Sequence, residues 1–143
     1  MAMNIGLEHA GLAARDPGCL KSWYAAVLGA SVVFENGQTP ISCLLALPGG
    51  GWIEIYPASH AVAETGYNRV AGWRHLAFRV DSIEAAREVL ATRGVEFSEA
   101  IKPAGGGGRV LFFRDPEGNL LHLVEREPGQ SLPQIRGKAL ANS

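Results

Sequence analysis

With 143 residues, 47% apolar and 19% charged side chains and a formal net charge of -1, the chain has the balance of a folded globular domain. That charge gives no support to nucleic-acid or acidic-membrane binding, both of which favour a cationic surface. Cys19 and Cys43 match no metal or redox spacing and read as reduced thiols. The start has no charged-then-apolar leader pattern and no apolar run approaches a membrane span, so a cytoplasmic protein is expected.

Residues 5–13 (IGLEHAGLA) read as a first strand. Asp16-Pro17 starts a helix, because Asp accepts free amide hydrogens and Pro suits the first helical position. Leu20, Trp23, Tyr24, Val27 and Leu28 recur at spacings of three and four, an apolar stripe that packs on a sheet, and Gly29 ends it. Residues 30–34 are extended, Asn36-Gly37 marks a hairpin, and 41–47 and 51–56 read as two further strands. Residues 58–72 lack periodicity and form a connector.

The order then repeats. Residues 73–80 (WRHLAFRV) alternate, with Trp73, His75, Ala77 and Arg79 on one face and Arg74, Leu76, Phe78 and Val80 on the other. A helix capped by Asp81 or Ser82 follows, with Ile83, Ala86 and Leu90 inward and Gly94 at its end. Residues 95–100 are extended, and 102–108 are too glycine-rich to hold a shape unaided. Gly105 to Gly108 read as a lid or a plain loop, since no Gly-Lys-Ser/Thr ending follows. Residues 109–114 and 119–125 make the last hairpin through Asp115-Pro116-Glu117-Gly118. Residues 127–143 form a polar tail that frays or lies over a partner surface.

The two passages share an offset. His9 and His75 lie 66 apart, as do Leu12 and Phe78, while Asp16 and Asp81 lie 65 apart. An internal duplication is expected: an α+β domain over 1–143 of two βαβββ modules, module one about 5–57 and module two about 73–126. Neither half can cover both faces of its sheet alone, so the halves must combine in this chain, exchange with a second chain, or both.

The last strand of each half carries the chemistry. In WIEIY, Trp52, Glu54 and Tyr56 share a face while Ile53 and Ile55 pack on the helix layer. In LLHLV, His122 takes the matching place between Leu121 and Leu123. Glu54 and His122 are 68 apart, close to the histidine offset. All four of His9, Glu54, His75 and His122 therefore point away from the helices, and pairing of the halves can bring them to one point. Three imidazoles and a carboxylate on rigid strands suit Zn, Ni, Fe, Co or Mn. A lone strand histidine is usually structural; agreement of four residues in period and offset is the evidence here. Trp52, Tyr56, Trp73, Arg79 and Arg114 are weaker candidates for a substrate pocket, since aromatic residues on sheets mostly pack and arginines at sheet edges mostly face solvent.

These residues carry a resemblance. His9 with Leu12 and Asp16, Trp23-Tyr24, Leu28-Gly29, His75-Leu76-Ala77-Phe78-x-Val80-Asp81 and Phe113-x-Asp115-Pro116-x-Gly118-Asn119 resemble the vicinal oxygen chelate superfamily over roughly residues 7–126. That group includes glyoxalase I, bleomycin-resistance proteins, fosfomycin-resistance enzymes and extradiol dioxygenases. The resemblance implies paired modules forming a curved mixed sheet around a metal cup with the helices packed outside, commonly within a homodimer whose site can use both chains. By position, His9 and His75 match the first-strand ligands, and Glu54 the last-strand ligand of module one. His122 stands where many members have glutamate, which leaves Glu54 as the obvious base. The expected activity is a divalent-metal-dependent isomerase or lyase of glyoxalase type on a small oxygen-chelating substrate. The alternatives are an extradiol-type Fe(II) dioxygenase and a non-enzymatic drug or small-ligand binder.

Overall fold

The computed structural model describes residues 3–61 and 66–128; the expected tail beyond 128 lies outside them. Module one contains β1 (His9–Ala14), α1 (Pro17–Leu28), β2 (Ser31–Glu35), β3 (Cys43–Ala46) and β4 (Trp52–Pro57). Module two contains β5 (His75–Arg79), α2 (Ile83–Thr92), β6 (Lys102–Pro103), β7 (Arg109–Arg114) and β8 (Leu120–Glu125). Both are βαβββ. The strand orders, β1-β4-β3-β2 and β5-β8-β7-β6, are the same permutation. In each, the first strand pairs in parallel with the last and the other pairs are antiparallel. The expected single curved sheet forming a cup is not found: the strands divide into two separate four-stranded sheets.

Local signals explain most boundaries. The Asp16 side chain accepts from the Cys19 amide, Pro17 opens α1, and Gly29 closes it in the left-handed region at φ 72°. Of the two caps expected for α2, Ser82 serves, accepting from the Ala85 amide. Residues 95–100 do not join a ladder; the pairing falls one step later, at Lys102 and Pro103. The glycine-rich stretch is the β6–β7 turn and is pinned, since the Arg126 guanidinium donates to the carbonyls of Gly105 and Gly107. Gly108 has φ 91°, and a Cβ there would lie 2.0 Å from the Glu125 carbonyl oxygen, so only glycine fits.

Burial follows the alternation. Ile53, Ile55, Leu121 and Leu123 are buried with Leu20, Tyr24 and Val27 of α1 and Ile83 and Leu90 of α2, in one cluster drawn from both modules. The modules dock through the turn before β8. The Tyr24 hydroxyl donates to Asp115 Oδ2 at 3.0 Å. Asp115 also accepts from the amides of Glu117 and Asn119 and from the Asn119 side chain. Glu117 reaches across to accept from the amides of Arg15 and Asp16, at 2.7 and 3.0 Å. Arg93 closes the other end on the Val27 carbonyl. Burial holds the Asp115 carboxyl above the usual carboxylate range, and burial beside Asp115 also raises the Tyr24 phenol.

Two stability outcomes follow. Tyr24→Phe leaves a buried acceptor short of one donor and should cost about 1–3 kcal/mol in urea melts. Unchanged stability would mean the Tyr24–Asp115 bond does not hold the modules together. The Arg109 guanidinium holds Glu84 down at about 2, and Glu125 is also lowered, first by the Ile83 amide and then by Arg109. Both folded-state values lie below the ordinary ones, so this stabilisation is present above about pH 4.5 and is lost as pH falls toward 2. Arg109→Met should flatten that acid limb of a stability–pH curve.

Candidate metal centre

Register places the four donors. His9 pairs with Trp52 and Gly11 with Glu54 across β1–β4. His75 pairs with Leu120 and Ala77 with His122 across β5–β8. In each module the last-strand donor therefore stands opposite the residue two after the histidine, so the two side chains meet diagonally on one face.

His9 Nε2 and Glu54 Oε2 are 3.0 Å apart. The His75 and His122 rings have centroids 4.7 Å apart at 74°. Among the described residues no group of three His, Cys, Asp or Glu side chains comes close enough to hold one ion. The expected convergence of His9, Glu54, His75 and His122 on one point thus does not occur within a single chain. The cause is the docking described above: the modules bury their helix-bearing faces together, and the donor faces stay apart as two pairs.

Each first-strand imidazole is oriented from behind. His9 Nδ1 lies 2.6 Å from Glu8 Oε2, and His75 Nδ1 lies 2.7 Å from Asn68 Oδ1. An oxygen acceptor at Nδ1 puts the ring hydrogen there and leaves Nε2 to bind outward, the arrangement that orients metal-ligating histidines. In the His9–Glu54 pair, Nε2 then faces a carboxylate oxygen. Two lone pairs at that distance repel unless a proton or a cation lies between them. Consistent with this, Glu8 first and then Glu54 raise the His9 pKa. A separation of 3.0 Å also matches two adjacent donors each ~2.1 Å from one ion. Imidazole and carboxylate are ligand types that suit a divalent metal, but among the described residues only two of them meet in either module.

His122 differs. It is 7% exposed, stacked at 25° on its β7 partner Phe112 with centroids 4.8 Å apart. Burial and then the charge of His75 lower its pKa, which favours the neutral, ligating form.

The substrate candidates scatter. Trp52 and Tyr56 stand on the donor face of β4, half-exposed on either side of Glu54. Trp73 is 99% exposed. Arg79 is exposed on β5, on the face of His75. Arg114 donates to the carbonyls of Gly66 and Gly118 and borders a groove of about 830 Å³ that also takes in Asn68, Lys102 and Phe112. A smaller hollow of about 180 Å³ lies beside His9 and Glu54, walled by Phe34, Ser42 and Leu44. Sequence reasoning did not single out Glu8, Asn68 or Phe112. Phe112 was recoverable by pairing the last hairpin from its turn. Glu8 fell inside the strand expected over 5–13, where alternation sends it to the face opposite His9, whereas β1 begins only at His9; Asn68 lies in the aperiodic connector.

The profile of the Glyoxalase/Bleomycin resistance protein/Dioxygenase superfamily matches residues 6–123, and the chain belongs to that superfamily. Its fold matches a glyoxalase family protein from Enterococcus faecalis with a TM-score of 0.71 and 31% identity, over 84% of this chain and 97% of that one. Biphenyl-2,3-diol 1,2-dioxygenase 3 of Rhodococcus globerulus is 29% identical over 86% of this chain and 64% of its own length. A probable lactoylglutathione lyase of Vibrio cholerae is 27% identical over 73% of this chain and 79% of its own. Kinship with catalytic members supports an enzymatic role. No helix among the described residues is long and apolar enough to cross a membrane.

In the metal-free protein, imidazole NMR titration should show His9 holding its proton above the ordinary 6.5 and His122 losing its proton below it. The reverse order would contradict the environments assigned to the two rings.

Proposed function

We propose that the protein is a divalent-metal-dependent isomerase or lyase of glyoxalase type, working in the cytoplasm as a homodimer on a small substrate with adjacent oxygens. The observation that carries this reading is the His9–Glu54 pair, an imidazole and a carboxylate 3.0 Å apart on the shared face of β1 and β4, a spacing that two neighbouring ligands of one ion can also adopt. Its complement, His75 with His122, lies on the equivalent face of the other module. The ion, Zn, Ni, Fe, Co or Mn, would be held by His9 and Glu54 of one copy and His75 and His122 of a second. A two-fold dimer of this kind would make two equal sites.

A bound divalent ion supplies Lewis-acid polarisation of substrate oxygens. The chain supplies the rest. Glu8 and Asn68 keep His9 and His75 from rotating. His122, neutral under Phe112, offers a lone pair and no negative charge. Glu54, whose side chain is 42% exposed, would detach or lean out from the ion to take a proton from a carbon next to the chelating oxygens and return it to the neighbouring carbon.

A second reading, Fe(II)-dependent dioxygenation, is favoured by the relationship to the Rhodococcus enzyme and by the availability of two histidines and one glutamate.

Elemental analysis of the purified protein, paired with deuterium exchange at the carbons of dihydroxyacetone in D2O, tests the reading. Wild type should contain stoichiometric divalent metal, and Glu54→Gln should lower exchange per bound metal by about 100-fold or more. A metal-free protein, or undiminished exchange in Glu54→Gln, would overturn it. Oxygen uptake with a catechol in the iron-loaded protein would favour the second reading.

A further inference from the structure

Each first-strand imidazole has an oxygen at its Nδ1, but the two modules supply that oxygen differently. In module one it comes from Glu8, the residue next to His9 in the chain. At the repeat offset of 66 the place of Glu8 is taken by Arg74, whose guanidinium has donors and no acceptor. Module two draws its acceptor from seven residues upstream instead: Asn68 Oδ1, 2.7 Å from His75 Nδ1. An acceptor on an aperiodic connector is only as well placed as the connector itself.

A second difference answers the first. The rows His9–Trp52–Ala46 and His75–Leu120–Arg114 run across the two sheets in the same register. Where module one has alanine, module two has Arg114. Its Cα lies about two strand spacings, ~10 Å, from that of His75, and the connector bridges the two. The Arg114 guanidinium donates through Nη2 to the Gly66 carbonyl at 3.2 Å and through Nη1 to the Gly118 carbonyl at 3.1 Å. It thereby ties the connector to the turn that opens β8. Gly66 is two residues before Asn68, at most ~7 Å of chain. A Cβ built at Gly66 would overlap the guanidinium, so glycine there keeps the carbonyl within reach.

We propose that Arg114 is a positioning residue for His75. Its two hydrogen bonds hold Gly66, and through it Asn68, so that His75 keeps its ring hydrogen on Nδ1 and presents the Nε2 lone pair outward. The consequence for metal binding rests on the metal-dependent reading above; the tautomer does not. Arg114 thus has a task other than meeting a substrate anion. Both of its terminal nitrogens serve backbone carbonyls, a fork that the single ammonium of a lysine would not reproduce.

The test uses the full metal-free chain at about pH 9, where an ordinary imidazole is neutral, and reads the His75 tautomer from its ring-nitrogen NMR shifts. Wild type should show the Nδ1–H form. Arg114→Met and Gly66→Ala break the tie from opposite sides. Each should raise the Nε2–H fraction several-fold, as Asn68→Ala does directly, with the His9 signals in place. Titrated with Co(II), both variants should bind it about ten-fold more weakly than wild type. His75 keeping the wild-type tautomer in both variants would overturn the proposal, even if their stability fell. Displacement of the His9 signals together with those of His75 would make Arg114 a scaffold residue and likewise overturn it. Tautomer shifts in the variants of a protein whose wild type takes up no cobalt would uphold the tie and overturn the metal reading alone.

Discussion

The parallel pairing of first and last strands is the constraint on which the site depends. In a parallel ladder the register decides which side chains meet diagonally, and a slip of one residue would turn every donor into the core. The slip is prevented by the opposite face. Ile53 and Ile55 on β4, and Leu121 and Leu123 on β8, are all at most 2% exposed, and moving them to the surface would forfeit roughly 1.5–3 kcal/mol each. The apolar residues thus enforce the placement of His9 with Glu54 and of His75 with His122. The same register, used twice, accounts for the near-equal offsets of the histidines and of the last-strand donors.

The second constraint is the way the modules join. Tyr24, Asp115, Glu117 and Arg93 tie α1 and the start of module one to the end of α2 and the turn before β8. Those ties bury the apolar faces and leave the polar ones looking outward, two donors on each. Among the described residues the two donor pairs therefore stay apart, and no third metal-type side chain joins either. On the proposed reading, a second copy related by a two-fold axis would supply the missing halves to both.

Much of this was legible beforehand, for definable reasons. Helix starts and stops were readable because Asp16-Pro17, Gly29 and Gly94 act locally, through amide hydrogens and left-handed backbone. The donor faces were readable because alternation in WIEIY and LLHLV is a property of the extended chain itself. What escaped depends on approach between segments. The division into two sheets follows from docking of the modules, which no local pattern encodes. The support of His75 by Asn68 requires the connector to fold back. The short β6 was placed too early because residues 95–100 look extended, while their pairing waits for Lys102. The reach of Arg114 to the Gly66 carbonyl is visible only once the connector lies beside the turn before β8.

Division of the site between two copies is most directly tested by mixing chains. His9→Ala spoils module one and leaves module two whole; His122→Ala does the opposite. Each variant alone should bind divalent metal weakly at every site. A heterodimer of the two, isolated by paired affinity tags, should regain one tight ion per dimer, because one of its two sites draws only on intact halves. A heterodimer that binds no better than either parent would contradict the account, as would a monomeric wild type carrying its full complement of metal.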